Sequence, residues 1–189
     1  EKRLRALATR ELGKQKSQGK RTLRFLSAWS CQGHLTLEDT ISQLCRRVLQ
    51  LDNSMGIGSE FLSRFASAAM EHGASFIQCQ DPLVPEKIEA ILLPEQSLAL
   101  IAPNDRSSVT LSPERKIHLD ALAKQDDLKE RRAAQRHRQK ESALLLSSAV
   151  EKLAKAKRLH DELEMCYRDS VDFDGVNALT EEHIMHLLG

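Results

Sequence analysis

The sequence predicts an α/β fold: a sheet of largely buried strands flanked by helices, followed by a long helical hairpin. Three observations lead there. Short apolar runs bounded by Gly, Pro, Asn or Asp recur as far as Pro103, with helical patterns between the early ones. Around residue 53 an apolar run passes through a Gly-containing loop into an amphipathic helix. From Glu114 to Tyr167 there is no Gly or Pro, and Lys, Arg, Glu, Gln, Ala and Leu dominate.

Residues 1–21 are basic and read as a linker, a basic arm or a tail. Within residues 1–24 Lys2, Arg3, Arg5, Arg10, Lys14, Lys16, Lys20, Arg21 and Arg24 face only Glu1 and Glu11. Residues 22–30 have strand character, and Gly33-His34 breaks the chain. Thr36 is expected to cap a helix with Ile41, Leu44 and Cys45 on its buried face. A strand over 47–51 and the loop follow. Phe61, Leu62, Phe65, Ala66, Ala69 and Met70 then repeat at three- and four-residue steps, and His72-Gly73 ends that helix.

Residues 74–80, 89–93 and 98–102 are three further apolar runs. Continuous apolar strands fit a sheet covered on both faces. The brief link at 94–97 is too short for a helical crossover, so the last two runs either form a hairpin or include one that is not a ladder strand. In the tail, breaks are expected near 124–127 and 139–143, with Leu146, Val150, Leu153, Ala156, Leu159 or His160, and Leu163 on one face. A final helix starts after Asp172-Phe173-Asp174-Gly175. The organisation is 1–21 as basic linker or arm, 22–112 as α/β core, and 113–189 as helical hairpin and C-terminal helix packing on the core.

Composition bounds the function classes. Of 189 residues 41% are hydrophobic and 29% charged, as in a water-soluble protein. At 4%, aromatics are too sparse for a base-stacking surface, and a net charge of +1 gives no global polyanion signal, so nucleic acid is not an expected partner. Cys31, Cys45, Cys79 and Cys166 are far apart and form no C-x-x-C pair, which argues against a zinc site or a disulfide framework. No apolar run approaches the ~20 residues of a membrane span, and no secretory signal is visible; a cytoplasmic location is expected. Glu1 in place of an initiator Met suits a piece of a longer chain.

The candidate site is the loop Asn53, Ser54, Gly56, Ile57, Gly58, Ser59 and Glu60. A phosphate-binding loop reads G-x-x-x-x-G-K-[ST]; its Lys reaches the outer phosphates and its hydroxyl binds Mg²⁺. Here Gly58 fits, but Asn53 stands at the first Gly, Ser59 at the Lys and Glu60 at the Ser/Thr. The local charge is two units more negative than in a working loop. Two like charges ~4 Å apart at an effective dielectric of ~20 repel by roughly 4 kcal/mol, about three decades of affinity. The amides of Gly56, Ile57 and Gly58 remain available for a weak anion, and Glu60 in the first helical turn suits the helix dipole. An ordinary strand-turn-helix corner reads the same way.

Other groupings carry less. His183 and His186, with Glu182 near, lack further zinc ligands. His160, Asp161, Glu162 and Glu164 read either as a charged functional surface or as partners in i,i+4 pairs such as Lys157 with Asp161. Cys31 and His34 lack a third, orienting group. No catalytic and no metal-binding residue is assigned.

The order of strand, degenerate loop and helix, then Phe-Ile-Gln-Cys-Gln-Asp-Pro at 76–82, Ile-Leu-Leu-Pro-Glu at 91–95 and Leu-Ala-Leu-Ile at 98–101, carries a resemblance. So does Ala-Lys-Arg-Leu-His-Asp-Glu-Leu-Glu at 156–164, followed by Tyr167 and Val171-Asp172-Phe173. Over residues 22–189 the chain resembles one half of the bacterial two-repeat P-loop proteins, described as ATPases or nucleotide-kinase-like. The resemblance implies a P-loop NTPase-like core, nucleotide phosphate binding and a helical hairpin. It also implies an Asp where this chain has Ala102, so three groups that serve nucleotide and metal are replaced. The expectation is a pseudo-NTPase half: non-catalytic, structural or regulatory, with no cofactor, beside a preceding P-loop repeat or a homologous domain. The alternative is an ATPase or nucleotide-kinase-like phosphotransferase that binds ATP and Mg²⁺ through unconventional groups such as Arg21, Arg24 or the arginines of 131–138.

Overall fold

The computed structural model describes residues 2–13, 18–53, 56–103, 111–119 and 125–188, with side chains placed from residue 4 in the first helix and from residue 133 in the long one. Its elements are α1 (Lys2–Leu12), β1 (Arg21–Phe25), β2 (Ser27–Ser30), β3 (Gly33–Thr36), α2 (Glu38–Leu44), β4 (Arg47–Leu51), α3 (Gly58–Glu71), β5 (Phe76–Gln80), β6 (Ile88–Leu93), β7 (Leu98–Ile101), β8 (Arg115–Ile117), α4 (Gln125–Arg168) and α5 (Phe173–Leu188). The architecture is α/β, a mixed six-stranded sheet with flanking helices and a C-terminal helical pair.

The sheet runs β1-β5-β6-β7-β4-β8. β1 lies parallel to β5, and β4 parallel to both β7 and β8, while β6 is antiparallel to β5 and β7. β6 is therefore the one reversed strand of this sheet. It is joined to β7 by a 3₁₀ turn (Pro94–Gln96) and Ser97, whose φ is 50°. The tight link thus makes the hairpin that its length allowed.

Both faces of the sheet are covered, so the central strands alternate between two apolar layers instead of between core and water. Leu49, Ile91, Leu93 and Leu100 meet α1 and α3 through Leu7, Leu62 and Phe65. Val48, Ala90, Leu92, Ala99 and Ile101 meet Ile41 and Cys45 on the other side. Cys79 lies in that second layer, and burial pushes its thiol up to about 12. It behaves as a small core residue, not a nucleophile.

The segment read as a basic linker contributes to the core. Leu4, Leu7, Ala8 and Leu12 of α1 are buried against α3, with Arg5 and Arg10 on the outer side. Burial of Glu11 is outweighed by hydrogen bonds from Arg10 and Arg47, which hold its carboxyl below the ordinary range. Arg47 also bonds Glu114, tying α1, β4 and the start of β8 together. The charge count concealed this role because an amphipathic helix with a basic outer face has the same composition as a basic arm.

The C-terminal region differs from expectation in three respects. Residues 125–168 form one helix with no break at 139–143; of the break expected near 124–127, residue 124 lies outside the described residues and 125–127 are already helical. Nothing in 139–143 (Gln-Lys-Glu-Ser-Ala) prevents helix continuation, and polar residues there only change the exposed face. The C-terminal helix does not pack on the core, since every residue from 162 to 188 is exposed.

Candidate functional site

With β6 reversed, the carboxyl ends of β4, β5 and β7 and the start of β6 meet at one edge of the sheet. In open α/β sheets that edge is where ligands bind. A cavity of about 330 Å³ lies there, lined by Asn53, Gly56 and Ser59 of the loop, Asp81 and Glu89, and Ala102. From α4, Gln135, Arg138 and Gln139 close it, and Lys87 adds a second cation.

The loop residues fall into place one by one. The Gly56 N–H donates to Asn53 O at 2.9 Å, and Gly56 has φ +72°, a left-handed turn that a side chain would strain. Ile57 precedes the first helical residue and is partly exposed. The Gly58 N–H opens α3 and donates to Asn53 Oδ1 at 2.7 Å. A Cβ on Gly58 would come within 2.7 Å of both Asn53 Oδ1 and the Ala102 Cβ, so glycine is required by packing as well as by the turn. Asn53 therefore sits, through its side-chain oxygen, where an anion would meet the helix N-terminus. Ser54 lies outside the described residues.

The two substituted positions point elsewhere. Ser59 Oγ accepts the Ile88 N–H at 2.9 Å, fixing the start of β6 to the first turn of α3. Glu60 faces solvent and receives Arg64 Nε at 2.7 Å, one turn along the same helix. Asn53 Oδ1 takes the amide, and Glu60 turns to its i,i+4 partner.

Sequence reasoning missed the acidic floor of the cavity. Asp81 Oδ1 accepts the N–H groups of Leu83 and Val84 at 2.8 and 3.1 Å, shaping the turn after β5. Glu89 is nine-tenths buried; Oε2 accepts from Ser27 Oγ at 2.8 Å, and Oε1 has no hydrogen-bond partner. Burial pushes the Glu89 carboxyl up, the Asp81 charge adds to this, and the Ser27 hydrogen bond opposes it. The available signal was a Glu inside the otherwise apolar run 88–93, a buried polar position that demands a reason.

This perturbation carries a pH signature. A carboxyl whose folded pKa lies above the ordinary 4.5 contributes stability that is complete below 4.5 and is lost as pH rises through the folded value. In urea titrations across pH 4.5 to 8, the wild type should lose stability relative to Glu89→Gln as pH rises. A constant difference between the two would refute the buried, raised carboxyl. Glu11, held low by its arginines, acts in the opposite sense and only in the more acidic range.

The other groupings do not assemble into a centre. Trp29 and His34 pack edge to face across the β2–β3 hairpin, 5.1 Å between centroids, with Cys31 in the turn between them. Lys157 pairs with Asp161, and His160 with Glu164 at 3.0 Å, the i,i+4 arrangement expected of a solvated helix. His183 Nδ1 contacts Leu179 O at 2.9 Å on exposed α5. Among the described residues no group of three or more His, Cys, Asp or Glu is arranged to hold a metal ion, and no helix is long and apolar enough to cross a membrane. No protein-family model, curated protein or solved structure matches the chain.

Proposed function

We propose that this chain is a degenerate P-loop NTPase-like domain that performs no catalysis and serves a structural or regulatory role beside an active ATP-binding repeat. One observation carries the reading: the amide that opens α3 is already taken by Asn53 Oδ1. A phosphate arriving there must displace an internal hydrogen bond, with no lysine in the loop to compensate. Ser59 and Glu60 support the same reading, since each has an intramolecular partner in place of a nucleotide or Mg²⁺. Ala102 removes the metal-side carboxylate after β7 and instead packs against the Gly58 position.

Isothermal titration with Mg-ATP tests it. The expected result is no saturable heat, corresponding to a Kd weaker than ~1 mM, or less than about 4 kcal/mol of binding free energy. Micromolar, magnesium-dependent binding overturns the reading.

A second reading, an ATP-dependent phosphotransferase or ATPase with unconventional phosphate-binding groups, rests on Arg138 and Lys87, which line the same cavity as Gly56 and Ser59. It requires the micromolar outcome, together with loss of that binding in Arg138→Gln. The two readings therefore separate in a single titration series.

A further inference from the structure

Past the β2–β3 hairpin α4 carries a pattern that the site does not use. Leu146 and Val150 line a cleft with Trp29 and Gly33 of the β2–β3 hairpin. The same side of α4 runs on towards the C-terminus as Ala149, Leu153, Ala156, His160, Leu163 and Tyr167. The steps are four, three, four, three and four residues, the spacing of the d and a positions of a coiled-coil seam. All six are exposed, Leu163 at 58% and Tyr167 at 46%, and α5 does not cover them because none of its residues is buried.

We propose that this stripe is a self-association surface on which a second copy of the chain packs antiparallel. The flanking charges choose this occupant and this direction. In a parallel pair Lys152 would face the partner's Lys157, and His160 would face the partner's His160, like against like. In the antiparallel pair Lys157 faces the partner's Glu164 twice, once from each side of the two-fold axis. The layers between them pair His160 with the partner's Leu163 and Ala156 with the partner's Tyr167, the latter small against large. Such an overlap spans about two heptads and buries on the order of 1,000 Å² in total, the lower end for a specific interface. The dimer is therefore weak and exchanges with monomer at micromolar concentration. The inference does not depend on the reading of the phosphate corner.

Sedimentation equilibrium of the whole 189-residue chain from ~5 to ~200 µM is the test. The expected result is a monomer of 21.3 kDa in reversible equilibrium with a species of twice that mass. Leu163→Asp, at an exposed position where folding is not at stake, should weaken the dimer at least ~100-fold. Lys157→Glu should weaken it at least ~10-fold, and Lys157→Glu with Glu164→Lys should return it to within about threefold of wild type. A wild type that stays monomeric throughout, or a dimer untouched by Leu163→Asp, overturns the surface. A dimer insensitive to Lys157→Glu, or not rescued by the exchange, overturns the antiparallel packing.

Discussion

Phe65→Ala is expected to destabilise the chain by about 3–5 kcal/mol, the usual range for removing a buried phenyl ring from a close-packed core. Phe65 is fully buried on α3, between the sheet and the helical layer, in the cluster that includes Leu49, Leu62, Leu93 and Leu100. The loss combines the transfer of the ring out of an apolar site with the cavity left behind, which a sheet held on both faces closes poorly. The midpoint of thermal unfolding should fall by roughly 6–20 °C, at the ~2–4 °C per kcal/mol typical of a chain this long. Leu145→Ala is the internal comparison. That side chain is exposed, and its removal should change stability by no more than ~0.5 kcal/mol. If both substitutions had the same effect, the sheet–α3 layer would not be the principal core.

The second large effect is a gain. Asn53→Gly, Ser59→Lys and Glu60→Ser together free the Gly58 amide and give the loop the ammonium and hydroxyl of the G-x-x-x-x-G-K-[ST] pattern. The local charge moves by two units toward positive. At ~4 Å and an effective dielectric of ~20, each unit bears on a phosphate charge by roughly 4 kcal/mol before screening. Mg-ATP affinity should therefore rise by at least ~100-fold over the wild type, read by titration calorimetry. The cost falls on the fold: loss of the Asn53–Gly58 hydrogen bond is worth ~1 kcal/mol, and loss of the Ser59–Ile88 hydrogen bond a similar amount. A folded triple variant that gains no affinity would mean that the corner is a strand-turn-helix junction with no phosphate-binding geometry behind it.

The local elements were legible because their signals are local. Apolar runs bounded by Pro and Gly gave β5, β6 and β7, and three- and four-residue periodicity gave α3 with its buried Leu62 and Phe65. The Gly/Pro-free tail gave a long helix. The helix continues through 139–143 because no Pro, Gly or cap interrupts the backbone there. β8 was missed altogether: Arg115–Ile117 has no apolar run and is a strand only because β4 offers it an open edge.

The sequence by itself determined which groups the loop possesses. No fold can give Ser59 an ammonium or Glu60 a neutral hydroxyl, so the departures from the G-x-x-x-x-G-K-[ST] pattern are written in residue identity. Tertiary structure alone decided where those groups are directed. The reversal of β6 brings Ile88 to Ser59 and places Asp81 and Glu89 beneath the loop, while Asn53 folds onto the Gly58 amide. It also decided that α1 is core rather than arm. These outcomes depend on contacts between residues far apart in the chain, whose energies arise only when the strands are in register, and no local pattern encodes them.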